Sequence, residues 1–79
     1  MTMEKEQVQR IATLLFNEEL PAFITTYSDS WISGYILEFD GLVLVINDRK
    51  KGKMIISVDD IRIIKQFTGD LSTLRRDDG

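Results

Sequence analysis

At 79 residues the chain is long enough for one domain and no more. A domain of that size hides only ~60% of its unfolded surface and leans on disulfides, metals or further copies for stability; the chain has no Cys and no His, which excludes disulfides, zinc sites and thiol nucleophiles and leaves self-association. A net charge of −3 and a pI of about 4.8 exclude an overall basic balance, so any contact with a phosphate backbone requires a local basic patch.

The chain opens with Glu4, Lys5 and Glu6 and no apolar run behind them, which predicts no secretion leader. No apolar stretch approaches the length of a membrane span, so a soluble cytoplasmic protein is expected. Residues 3–18 read as a helix: Val8, Ile11, Ala12 and Leu15 recur at helical spacing, with Leu14 beside them. Thr2 is the predicted N-cap, and Pro21 ends the helix, because the residue before a proline avoids the helical region. The apolar stripe serves either to dock on a partner or to cover an open end of the domain. The second reading is adopted, since such a stripe is usually core.

After Pro21 the period becomes strand-like. Strands are predicted over 22–27, 31–39, 42–47, 53–58 and 61–67. Ser28–Ser30 forms a polar turn, and Gly34 inside the second strand marks a bend or bulge. Asp40-Gly41 predicts a two-residue hairpin with positive φ at both positions. The unbroken apolar run Leu42–Ile46 and the adjacent pairs Ile55-Ile56 and Ile63-Ile64 put apolar groups on both faces of their strands. Asp48–Lys53 is a charged loop, and Asp59-Asp60 a tight turn. Residues 68–79 are polar, with only Leu71 and Leu74 as anchors, and read as a mobile tail. The whole is one domain over 1–67, mainly β, whose short antiparallel strands leave edges that need cover or pairing.

This order resembles the Sm/LSm family, including its bacterial RNA-chaperone members. Trp31-Ile32-Ser33-Gly34 leading into Tyr35-Ile36-Leu37-Glu38-Phe39-Asp40 looks like the family's first motif, a strand-two glycine followed by an aromatic residue and an aspartate. Leu42–Ile46 looks like its third strand, and Ile55-Ile56-Ser57-Val58 followed by Ile61-Arg62-Ile63-Ile64 like its second motif. The resemblance covers about residues 5–67 and implies a Sm-like (SH3-like) five-stranded, strongly bent antiparallel small barrel with an N-terminal helix. It also implies a closed ring of identical copies, pentamer to heptamer, in which strand five of one subunit pairs with strand four of the next. Met54, Ile55, Ile56, Ile61, Ile63 and Ile64 are the residues expected at that interface. Three departures bear on RNA. Gly41 stands where the family's uridine-binding members carry Asn, Asp59-Asp60 stands where they carry Arg-Gly, and the His of the bacterial second motif is absent. Those family residues bond and stack on unpaired bases, and acid in their place repels phosphate.

No catalytic constellation is present: no His base, no Cys nucleophile, no Gly-rich phosphate loop, and no motif that calls for a cofactor or a small-molecule substrate. Asp59-Asp60 reads as a turn rather than as paired catalytic carboxylates, and rings of Asp40 and Asp59 are candidate cation sites. Arg49, Lys50, Lys51 and Lys53 form the one basic cluster; together with Asp40, Gly41 and Arg62 they are the candidate nucleic-acid contacts. The alternative for the cluster is a solvated hairpin loop guarding a strand edge. Trp31 and Tyr35 either stack on bases or pack in the core or an interface. Three functions remain: a ring that binds single-stranded RNA weakly, a ring that serves as a protein scaffold, and a monomeric SH3-like adaptor.

Overall fold

The computed structural model describes residues 3–69. Thr2, the predicted N-cap, and the predicted tail beyond Gly69 lie outside the described residues. In chain order the elements are α1 (Lys5–Asn17), β1 (Pro21–Thr26), β2 (Trp31–Phe39), β3 (Val43–Asp48), β4 (Gly52–Ser57), a 3-10 turn (Val58–Asp60) and β5 (Ile61–Gln66). The protein is mainly β, an N-terminal helix followed by five antiparallel strands in one sheet of order β4-β3-β2-β1-β5.

The helix is shorter than its apolar stripe predicts, at both ends. Glu4 is its N-cap, and its N–H donates to the Gln7 side chain at 3.3 Å. At the other end Glu19 takes φ 56°, and the N–H groups of Leu20 and Glu19 return to the carbonyls of Leu15 (2.9 Å) and Phe16 (3.3 Å). That Schellman-type close stops the helix before Pro21, which opens β1 instead. Val8, Ala12 and Leu15 are buried in the same core as the strands, so the helix covers the barrel, as its stripe predicts. Leu14 is left on the outside.

The sheet must curl. Its outermost strands, β4 and β5, are consecutive in the chain and joined only by Val58–Asp60. Across a flat five-stranded sheet those edges stand roughly 19 Å apart, yet four Cα steps span at most about 14 Å fully extended. Two irregularities accommodate the bend. Leu37 is skipped between Ile36↔Ile46 and Glu38↔Val45, and Arg62 between Ile63↔Thr25 and Ile61↔Thr26. Each shift inverts the alternation of faces. Hence Ile61 and Ile64, three residues apart, both enter the core. Ile36 and Phe39 likewise both reach it.

Gly34 is not one of these bends. It sits where β2 is paired on both sides, opposite Ala22 and Asp48, and an added Cβ would collide with the Asn47 carbonyl. The β2–β3 connection also departs from a two-residue turn. Asp40, Gly41 and Leu42 form a three-residue loop in which Gly41 takes φ 101° and Asp40 stays at negative φ. The Asp40 carboxylate accepts from the N–H groups of Leu42 and Val43, both at 2.8 Å, and so does locally what a second positive-φ residue would have done.

Candidate functional site

Three surfaces concern function: a basic end, an acidic end and the two sheet edges.

The basic end is built on Asp48. This carboxylate closes β3 with its residue only 6% exposed. It accepts the N–H of Ser33 (3.0 Å) on β2 and those of Lys50 (2.9 Å) and Lys51 (2.8 Å) across the hairpin. Burial pushes its pKa up, but those three N–H donors and the Lys51 charge outweigh burial and hold it below the usual carboxylate value. Gly52 at φ 82° completes the turn. The loop that carries Arg49, Lys50 and Lys51 is therefore fixed from beneath; it is shorter than predicted, since Lys53 already lies in β4, and all four side chains are exposed.

Beside it lies a row of aromatic and cationic side chains. The Arg49 guanidinium stands 5.7 Å from the centre of the Phe67 ring, and the Lys65 ammonium 5.5 Å from that of Phe23. Phe23 pairs with Lys65 on β5 and with Ser33 on β2, and the Arg49 N–H donates to the Ser33 carbonyl at 3.0 Å. A shallow depression of about 190 Å³ opens between Phe23 and Phe67. Cations and half-buried rings at one end of the barrel form a surface able to take phosphate and a stacked base.

Asp40 and Gly41 are not part of it. They lie at the opposite end of β3, five residue steps or about 17 Å away. There Gln9 of the helix donates to the Gly41 carbonyl at 2.7 Å, and the Val58 N–H to the Leu42 carbonyl at 2.8 Å. This brings the Asp40 loop beside the Val58–Asp60 turn and makes an acidic end. Val43 and Leu42 N–H groups hold the Asp40 carboxyl below its ordinary pKa. Asp59 pairs with Lys5 at 3.2 Å, and its N–H is capped by Ser57 Oγ at 3.2 Å. Among the described residues no group of three or more acids gathers within reach of a metal. Arg62 belongs to neither end. As the bulged residue of β5 it directs its guanidinium toward Asp29, 3.8 Å away, and its Nε is buried with no hydrogen-bond partner. The predicted nucleic-acid contacts thus fall into three separate places, and only the cluster of Arg49, Lys50, Lys51 and Lys53 stays together.

The expected interface residues divide as well. Ile56, Ile61 and Ile64 are buried in the protein's own core and Met54 packs against it. Alternation and the Arg62 bulge turn these side chains inward, and Met54 remains half-buried at the lip of the groove beside Ile55. Ile55 is 76% exposed, and Ile63 is half-buried. Ile55 and Tyr27 border a groove of about 530 Å³ along the seam between β4 and the β1–β2 turn. Trp31 is 72% exposed, so core packing does not account for it; it opens β2 opposite Thr25, at the margin of the sheet, and Tyr35 is half-buried.

Backbone polarity at the two edges follows from single bonds. The Val58 N–H turns toward β3, so by alternation the N–H and C=O of Lys53, Ile55 and Ser57 point away from the sheet. The Phe67 N–H donates to Pro21 at 2.9 Å, so those of Arg62, Ile64 and Gln66 point away on the other edge.

Sequence reasoning missed Asp48, Phe23, Phe67 and Lys65. Asp48 carried a local signal, an aspartate directly before an Arg-Lys-Lys-Gly turn. The other three meet only through the pairing of β1 with β5, which no local pattern announces. No helix among the described residues is long and apolar enough to cross a membrane. Comparison with models of known protein families finds no match, and comparison with curated proteins finds none either.

Proposed function

We propose that the chain is a non-catalytic subunit of a Sm-like homo-oligomeric ring, pentamer to heptamer, acting in the cytoplasm, and that the ring binds single-stranded RNA weakly through its basic end. One observation carries the assembly: a single small barrel holds two sheet edges, β4 and β5, unpaired with each other, with Ile55 76% exposed beside one of them. An unpaired edge with an apolar side chain beside it is a template for another strand. The β4 edge of one subunit set against the β5 edge of the next makes a head-to-tail contact that a suitable rotation closes. Native mass spectrometry of protein purified in low salt without nuclease tests it. A closed multiple of the chain mass is expected, and a monomer at all concentrations sinks the proposal.

Support for RNA is the separation of charge, with Arg49, Lys50, Lys51, Lys53 and Lys65 at the end of the barrel that also carries the half-buried rings of Phe23 and Phe67. Ring closure repeats a weak site once per subunit. Binding of a labelled oligouridylate is expected to weaken as salt rises. Replacing Arg49, Lys50 and Lys51 by Ala lowers the slope of log affinity against log salt by about 0.7 for each phosphate no longer neutralised. A second reading, a ring that scaffolds proteins and holds no RNA, draws on the acidic end, where Asp40, Gly41, Asp59 and Asp60 stand at the turns that contact RNA in the family this chain resembles. A clean multiple of the chain mass without nucleic acid, and no salt-dependent binding, gives that reading the lead.

A further inference from the structure

The β5 edge is not bare. The Met3 N–H donates to the Arg62 carbonyl at 3.1 Å, and the Ile64 N–H donates to the Met3 thioether sulfur at 3.4 Å. Arg62 and Ile64 are two of the three residues whose bonding groups point outward from this edge. Met3 therefore sits across from Ile63 as a one-residue strand, with its sulfur in the place where a true strand would offer a carbonyl oxygen. A thioether is a weak acceptor. The β4 edge carries no such cover among the described residues: Ile55 points its N–H and C=O outward and is 76% exposed.

We infer that Met3 is a displaceable latch on the β5 edge, and that the occupant it yields to is β4 of a second copy. The inference rests on the proposed ring. The two edges match. The outward residues Lys53, Ile55 and Ser57 alternate along β4 as Arg62, Ile64 and Gln66 do along β5. A carbonyl from an incoming β4 replaces the sulfur at Ile64 with a stronger acceptor. The latch covers Arg62 and Ile64 and leaves the Gln66 end open, so pairing starts there and runs back toward Arg62. Self-association accordingly requires Met3 to leave the edge, and the latch sets the concentration at which copies join.

The test uses the full chain with Met3→Leu, which keeps an apolar side chain and removes the sulfur, and Met3→Pro, which removes the N–H. Each is made in the native chain and beside Ile55→Pro. Ile55 turns its N–H away from β3, so proline there spares the sheet and blocks the β4 edge. Sedimentation velocity over a dilution series is expected to show both Met3 variants assembling at concentrations about two- to tenfold lower than the native chain, the size of one missing hydrogen bond per interface. In the Ile55→Pro background hydrogen exchange of the Ile64 amide is expected to quicken when Met3 is changed. If the native chain assembles and the Met3 variants assemble at the same or higher concentration, the latch is wrong and the ring stands. An Ile64 amide indifferent to Met3 also overturns the latch. If every variant stays monomeric, the ring fails and the latch as its regulator fails with it.

Discussion

Asp48 shows how much of a surface one carboxylate can determine. It is nearly inaccessible, accepts three backbone N–H groups, and joins β2 to the basic hairpin. Replacing it by Ala leaves those N–H groups without an acceptor and is expected to cost about 2–4 kcal/mol in denaturant unfolding. Its pKa is lowered on folding, so the unfolded chain binds the proton more readily. The stabilisation is full above the unfolded value of about 3.9 and is lost as pH falls through the lower folded value. Asp48→Asn is therefore expected to flatten the acid limb of the stability profile while leaving the slope between about pH 5 and 8 unchanged. Gly34 is the steric counterpart. Any side chain meets the Asn47 carbonyl, which belongs to a strand and cannot step aside. Gly34→Ala is expected to destabilise by about 3 kcal/mol, read from the denaturant midpoint, with no recovery from changes at neighbouring side chains.

Among the elements, the helix depends on more than its apolar stripe. Gln9 ties it to the Gly41 carbonyl at 2.7 Å, a side-chain bond that fastens the helix to the acidic end. Gln9→Ala is expected to cost about 1 kcal/mol and to speed hydrogen exchange in the Asp40–Leu42 loop ahead of the strands. The strands show where sequence is readable and where it is not. Five strands, their approximate bounds and the helix as a lid all follow from local periodicity, because hydrophobic spacing reports the face an element buries. The phase within β2 and β5 does not. The shift at Leu37 is set by the register with β3 across the hairpin and that at Arg62 by β1, far away in the chain, and each reverses inside and outside for everything beyond it. The six isoleucine and methionine positions that the family resemblance assigns together to an interface therefore part, with Ile55 and Ile63 outward and the others turned to the core. The exposure of Trp31 is hidden from local pattern for a similar reason: it sits at the sheet's margin, where strand propensity is high and cover is absent. The basic cluster is legible as a contiguous run, whereas its aromatic companions depend on the β1–β5 pairing.

At the scale of the molecule, a chain of net charge −3 keeps a cluster of its cations at one end and a group of its acids at the other. A ring of such subunits has unlike faces, and an anionic strand meets only one of them favourably. The link Val58–Asp60 matters at this scale too. Inserting one glycine after Asp60 is expected to leave the strands intact by circular dichroism and to change or broaden the oligomer mass in native spectra. The reason is geometric. Seen down the axis of a closed assembly each copy is a wedge, and its taper is about 72° for five copies, 60° for six and 51° for seven. The two walls of the wedge are β4 and β5, and the three residues between them act as its hinge pin. Val58 is buried and Ser57 caps the turn, so the pin is held from both sides. In the proposed ring the number of copies is then set by this turn, and a change of about ten degrees there is enough to add or remove a subunit.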